Sequence, residues 1–374
     1  MLEERAYWLA WSQMPGVGPI LQKRLYEHFT SLAAAWRASP KALQEVAGFG
    51  NKIVNAVVSR RSQLDPATFL QQHLVKNPYF WTPVDPEYPR LLLEIPSPPP
   101  VLYYRGQVDL SENQGITPMV GIVGTRHPTA YGKIWTEKIS IALARHGFTI
   151  VSGMASGIDT QAHRGCLSAQ RRTLAILGTG VDVVYPRSNL QLHREIQEQG
   201  LILSEYPAGT QPEGKNFPAR NRIIAGLCRA VLVMEAAQRS GALITARYAN
   251  DFCRDVYALP GSLDNPKSIG CLGLLNRGAH VILSEGHLLE MLGAIPQLDP
   301  VSLTSPPREE NQQPVPDLAP ELVAILQVID SEGSAIDVIV QKTSLETNYV
   351  VAKLLELELL GLVSQLPGMR YRKA

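Results

Sequence analysis

The chain has 374 residues, 45% of them hydrophobic and 18% charged, with 28 Pro and 29 Gly. That length can bury the cores of two to four domains without covalent staples, and the composition excludes a disordered, collagen-like or disulfide-dense chain. The formal net charge of +1 is unevenly spread: residues 1–77 carry +4 and 120–290 carry +5, whereas 78–119, 291–318 and 319–374 are acidic, so an anionic partner is expected at the first and third segments.

The Met-Leu-Glu-Glu-Arg start lacks the basic and apolar regions of a secretory signal. No apolar run approaches the roughly 18 residues of a membrane span. A cytoplasmic protein without a membrane partner is expected. Cys166, Cys228, Cys253 and Cys271 stand 62, 25 and 18 residues apart, a pattern of reduced thiols rather than disulfides or zinc ligands.

Up to residue 77 the apolar spacing is helical. Two glycine hairpins, Pro15-Gly16-Val17-Gly18 and Ala47-Gly48-Phe49-Gly50, recur at an offset of 32 residues, with Leu21 matching Ile53 and Leu25 matching Val57. Glycine permits close approach and the next helix presents its positive end, so such turns can face a phosphate. Tight turns inside a packing domain need the same glycines, and only Lys23, Arg24 and Lys52 lie close by. The pattern resembles a tandem helix-hairpin-helix module, which in other proteins grips nucleic-acid backbone. Residues 78–119, with Pro83, Pro86, Pro89 and Pro96-Ser97-Pro98-Pro99-Pro100, read as an extended strap with one short strand.

From residue 119 short apolar runs alternate with helical stretches. Strands are predicted at Met119–Val123, Thr149–Gly153, Thr173–Leu177, Leu201–Ser204, Ala230–Glu235, Asp255–Leu259 and His280–Leu283. This is an α/β pattern: an extended Rossmann-like, mostly parallel sheet whose ligands bind beyond the carboxyl ends of the strands. Residues 291–318 read as a Pro-rich linker. Residues 319–374 read as three helices and a two-stranded wing, a winged-helix domain. The expected divisions are therefore 1–77, 78–290, 291–318 and 319–374.

The loop after the first strand, Gly121-Ile122-Val123-Gly124-Thr125-Arg126, is not Gly-x-Gly-x-x-Gly, and no acidic residue closes the next strand, so no dinucleotide cofactor is expected. It offers a glycine-lined strand end, a helix start and an arginine, which together favour a phosphate. Ser152-Gly153-Met154-Ala155-Ser156-Gly157-Ile158-Asp159 supplies a second turn whose amides can face an anion. Asp159 and His163, four residues apart without a third ligand, read as a hydrogen-bonding pair rather than a metal site.

In Gly214-Lys215-Asn216-Phe217-Pro218-Ala219-Arg220-Asn221-Arg222 three cations and an aromatic ring lead into an apolar helix. A groove for single-stranded nucleic acid needs phosphate neutralisation and a ring on which a base stacks. A solvated helix start with Phe217 buried fits the same residues. After the fifth strand Ser240-Gly241 opens another helix, with Ser240 at the cap position. Pro260-Gly261-Ser262 and the glycines of 270–278 read as turn formers.

With Gly124-Thr125-Arg126, Ser-Gly-x-Ala-x-Gly-Ile-Asp, Arg220-Asn221-Arg222-Ile223-Ile224-Ala225-Gly226-Leu227 and Ser-Gly-Ala-Leu-Ile-Thr in that order on one sheet, the chain resembles the DNA-processing protein A (Smf) family over nearly its whole length. Family members usually carry Ser where Thr125 stands. The resemblance implies a non-enzymatic protein that binds single-stranded DNA, forms a homodimer through its Rossmann-like domain and helps load RecA during natural transformation. It places Arg126, Lys215, Phe217 and Arg220 in the DNA pocket. Gly124, Thr125, Ser152, Gly153, Ser156, Gly157, Asn221, Arg222, Ser240 and Gly241 complete the candidate set, with no catalytic or metal-binding residue. The competing reading is a nucleotide-binding or nucleotide-hydrolysing Rossmann-like enzyme using Glu235 and Asp159 as acid and base. The winged helix carries a net −2, and its third helix displays Glu346, Lys353, Glu356 and Glu358. Protein contact or tethering is expected of it rather than reading of duplex DNA.

Overall fold

Six helices open the chain: α1 (Leu2–Trp11), α2 (Pro19–Phe29), α3 (Leu32–Arg37), α4 (Pro40–Gln44), α5 (Asn51–Arg61) and α6 (Pro66–Lys76). Ser31, Ser39 and Asp65 cap α3, α4 and α6 through side-chain oxygens, each satisfying an otherwise orphaned amide. Gly16 and Gly48, at φ +80° and +98°, turn the chain ahead of α2 and α5. The repeat is also a packing symmetry: Gly16 faces Ile53 of α5, and Gly48 faces Leu21 of α2, the residue matching Ile53. Two of the three nearby cations are engaged by backbone carbonyls of the chain itself. Lys23 Nζ donates to the Ile95 carbonyl at 3.2 Å and Arg24 Nη1 to that of Ala47 at 2.9 Å, while Lys52 is exposed.

The computed structural model describes residues 2–293, 320–329, 334–343, 345–359, 362–366 and 370–373. The chain divides into two units, Met1–Leu303 and Thr304–Ala374. The stretch expected to be extended holds β1 (Phe80–Trp81), α7 (Arg90–Glu94), β2 (Leu102–Gly106) and α8 (Leu110–Asn113). Leu92 of α7 and Ile95 beyond it pack over Gly226, where an added Cβ would come within 2.9 Å of Leu92.

The strands and helices that follow are β3 (Met119–Val123), α9 (Ala130–Arg145), β4 (Thr149–Ser152), α10 (Ile158–Ser168), β5 (Thr173–Leu177), α11 (Leu190–Gln199), β6 (Leu201–Ser204), α12 (Asn216–Leu227), β7 (Ala230–Val233), α13 (Ala242–Asp251), β8 (Asp255–Ala258), α14 (Ile269–Leu275), β9 (His280–Val281) and α15 (Glu285–Gly293). They form one sheet in the order β1-β2-β6-β5-β4-β3-β7-β8-β9. Every pairing from β6 to β9 is parallel, and β1 and β2 add an antiparallel edge. The mostly parallel α/β architecture is as expected, with strand ends within two residues of the predicted ones, a difference of the size that assignment methods show. From β3 the chain steps outward through β4, β5 and β6. It then returns to place β7 on the other side of β3, so the strand order reverses between β3 and β7. Open α/β sheets bind ligands at such a switch point.

The second unit contains α16 (Pro320–Val328), β10 (Ser334–Ala335), α17 (Ile336–Thr343), α18 (Thr347–Leu359), β11 (Val363–Leu366) and β12 (Arg370–Lys373), with sheet order β10-β12-β11. Ile325, Ile339, Leu354 and Leu357 form its core. This is a winged-helix arrangement, and the two-residue β10 is an addition to the expected elements. The Pro-rich stretch expected to be a linker lies, from residue 294 on, outside the described residues. Among the described residues no helix is long and apolar enough to cross a membrane, and no group of three or more His, Cys, Asp or Glu could hold a metal ion.

Candidate functional site

At the switch point, beyond the carboxyl ends of β3, β4, β5 and β7, lies a cavity of ≈ 630 Å³. Its walls come from five loops, Gly124-Thr125-Arg126 after β3, Ala155 after β4, Tyr185 after β5, Pro212 and Gly214 after β6, and Ser240-Gly241 after β7, with Phe217 and Arg220 of α12. A smaller cleft beside it adds Gly153 and Ser156. Of the candidate residues, Gly124, Thr125, Arg126, Gly153, Ser156, Phe217, Arg220, Asn221, Ser240 and Gly241 therefore line these two openings.

Arg126 is exposed and Phe217 half-buried, with the guanidinium carbon 5.9 Å from the ring centroid. Tyr185, 41% exposed, sets its ring 5.3 Å from that of Phe217 at an interplanar angle of 33°. The aromatic wall thus has an accessible face. Gly178 makes it possible: a Cβ there would lie 2.8 Å from Phe217 Cδ1. Tyr185 and Gly178 escaped the sequence reading, although Leu177-Gly178-Thr179-Gly180 is a glycine-rich strand end of the same kind as Gly124-Thr125.

Arg220 is 4% exposed. Its Nη1 donates to the carbonyls of Gly153, at 2.7 Å, and of Ile176, and its Nε to Asn221 Oδ1 at 3.3 Å. The residue therefore forms the floor of the cavity and ties α12 to the ends of β4 and β5. Burial lowers its pKa to about 10, against the raising influence of Asp159. Gly153 must be glycine for this packing, since a Cβ would meet Nη2 at 2.5 Å. Asn221 Nδ2 donates in turn to the Gly241 carbonyl at 3.2 Å, which joins α12 to the start of α13.

Two of the predicted anion-binding turns already hold a carboxylate of the chain itself. The amides of Gly153 and Ala155 donate to Asp159 Oδ2 at 3.1 and 3.3 Å, so that turn closes on its own aspartate. Burial raises Asp159 to about 6, opposed first by Arg220. At the start of α9, Glu235 accepts from Thr129 N at 2.8 Å, Thr129 Oγ1 at 2.9 Å and Asn265 Nδ2 at 2.9 Å. The start of α13 also borders the cavity. There Ser240 Oγ accepts from Ala242 N at 3.3 Å and Gly241, not Ser240, is the cap residue. Thr245, one turn further along α13 and lining the cavity, is 1% exposed, and its hydroxyl has no hydrogen-bond partner among the described residues.

Other candidates serve elsewhere. Arg222, 6% exposed, makes a bidentate pair with Glu205, both contacts at 2.7 Å, and donates from Nε to Ser97 O at 3.0 Å. It points away from the cavity because residues two apart on a helix face opposite sides. Ser152 Oγ donates to Ile122 O at 2.6 Å inside the core. Lys215 caps α12 from outside the cavity wall, exposed and paired with Glu213 at 2.8 Å. Gly157, at φ +84°, lets the β4 loop cross the β3 loop, since a Cβ there would come to 2.4 Å from Thr125 O. The expected Asp159–His163 pair does not form: His163 Nδ1 bonds Thr173 Oγ1 at 2.8 Å instead, and burial lowers its pKa to about 3.

A family model described as DNA recombination-mediator protein A matches residues 79–293, and one described as DprA winged helix domain matches 309–369. The chain is 55% identical to Protein Smf from Synechocystis sp., over 99% of each chain. It is 42% identical to DNA processing protein DprA from Streptococcus pneumoniae, over 65% of this chain and 83% of that one. The X-ray structure of DNA processing protein A from S. pneumoniae superposes with a TM-score of 0.67 at 36% identity, covering 76% of this chain and 97% of that one. A structure of DNA processing protein A from Helicobacter pylori, described for its single-stranded DNA binding mode, has a TM-score of 0.52 at 32% identity, covering 58% and 97%.

Proposed function

This chain belongs to the DNA recombination-mediator protein A family, and we propose that it binds single-stranded DNA in the switch-point cavity without catalysing a reaction on it. The observation that carries the reading is the convergence of Arg126, Phe217 and Tyr185 on one opening floored by Arg220. The guanidinium of Arg126 takes a phosphate, the Phe217–Tyr185 wall takes a base, and the α13 start offers its backbone amides to the next phosphate. The single-stranded DNA binding described for the H. pylori relative supports it. Glu235 and Asp159, the pair an acid–base enzyme would use, are held by Thr129, Asn265 and backbone amides. Homodimer formation through the sheet domain, RecA loading during transformation and a cytoplasmic location complete the reading by family likeness.

Titration with labelled single-stranded and duplex oligonucleotides at several salt concentrations tests it. Preference for the single strand is expected, with log affinity falling about 0.7 per log unit of salt for each phosphate neutralised. Equal affinity for duplex, or no dependence on salt, would refute it.

Asp159 adds a pH dependence. Its carboxyl, with a pKa raised to about 6, is negative above that pH and neutral below it, so acidification makes the cavity floor more positive. One charge removed at this range is worth about 1 kcal/mol, roughly fivefold in affinity. In a His127→Gln background, which removes the imidazole at the cavity wall, DNA affinity should rise by that factor from about pH 7.5 to 5.5. Asp159→Asn in the same background should abolish the rise and bind tightly at both values.

A further inference from the structure

A second cavity, of ≈ 420 Å³, opens beside the antiparallel edge of the sheet and is lined by Lys76, Tyr79, Tyr103, Tyr104 and Arg105 among others, with no acidic side chain. The rings form a ladder: Trp81 stacks on Tyr104 at 4.1 Å and 18°, and Tyr104 meets Tyr79 at 5.7 Å and 37°. Trp81 is buried, whereas Tyr79 is 59% exposed, so the ladder ends in solvent with a free ring face. The side chains of Lys76 and Arg105 make no ion pair or hydrogen bond among the described residues. We propose that this aromatic and cationic cavity is a second subsite for single-stranded nucleic acid, taking a base against Tyr79 and its flanking phosphates on Lys76 and Arg105.

The inference rests on the reading of the first cavity and extends it. The same two loops border both openings. Val181, between β5 and α11, lines the second cavity and Tyr185 the first; Ala208, between β6 and α12, lines the second and Pro212 the first. Four residues of chain reach at most about 14 Å, a gap that a few nucleotides cover. One strand lying across these two loops would place bases at both aromatic walls. Free cations beside a stacking ring are the elements of sequence-tolerant single-strand binding.

The test uses the full chain and labelled oligothymidylates of about 6 and about 20 nucleotides, chosen to fill one subsite or both. Tyr79→Ala with Arg105→Ala should weaken the longer oligonucleotide about 5- to 100-fold and leave the shorter one bound as in the parent protein. Arg126→Ala with Phe217→Ala should weaken both lengths. Parent-like binding of the longer oligonucleotide by the Tyr79/Arg105 variant, with loss in the Arg126/Phe217 variant, would overturn the second subsite and leave the first. No binding of either length by the parent protein would remove both. Should the variant fail to fold, photo-crosslinking of a halogenated pyrimidine strand to the parent protein decides instead. Adducts at Tyr79 or Tyr104 support the subsite, and adducts confined to Tyr185 and Phe217 refute it.

Discussion

A protein carrying Arg126→Ala and Phe217→Ala should bind single-stranded oligonucleotide about 100- to 1000-fold more weakly than the parent, at an almost unchanged unfolding temperature. A hydrogen bond to a charged group is worth about 1.5–3 kcal/mol and a stacked base about 1–3. The two losses are not fully additive, since the guanidinium and the ring lie 5.9 Å apart and share one binding event. Arg126 is exposed and Phe217 half-buried, so little native packing is lost. Fluorescence anisotropy for affinity and calorimetry for unfolding measure the two sides of this expectation. An affinity within threefold of the parent would show that the switch-point cavity is not where DNA lies.

Arg222→Ala should show the opposite profile. Its side chain and that of Glu205 are 8% and 12% exposed, and removing one partner of a buried pair leaves the other uncompensated, a cost of about 3–5 kcal/mol. The Ser97 carbonyl also loses its donor. A fall in unfolding temperature on the order of 10 °C follows for a unit of this size, with near-parent DNA affinity well below that temperature. Arg222→Met combined with Glu205→Leu should recover much of the loss, because an apolar pair of similar volume dispenses with the buried charges. A protein that loses DNA binding but keeps its stability would return Arg222 to the DNA site.

The contrast between Arg220 and Arg222 shows what could be read in advance. Both stand in one cationic run and look alike as phosphate ligands. At 100° per residue on a helix they point about 200° apart, so at most one could face a given opening, and that spacing was present in the sequence. Which one faces inward, and that it is spent on the carbonyls of Gly153 and Ile176, depends on where β4 and β5 end, a tertiary fact. The sheet strands were legible because buried parallel strands read as continuous apolar runs between turn residues. Helix α7 was not, because its five residues, set between Pro89 and Pro96, are too few for a period to register, and Leu92 and Ile95 hold it by packing on Gly226. Tyr185 was missed for a different reason: its place beside Phe217 arises from a loop of twelve residues whose path no local pattern encodes.

Because Asp159 and Glu235 already occupy the amides of the β4 turn and the start of α9, those loops have no need of a bound strand to settle their electrostatics. The frame that carries Arg126 is preorganised, and association should cost chiefly the ordering of the oligonucleotide rather than of the protein. Encounter with a flexible strand would then proceed without a slow rearrangement step, at rates governed by diffusion and long-range attraction.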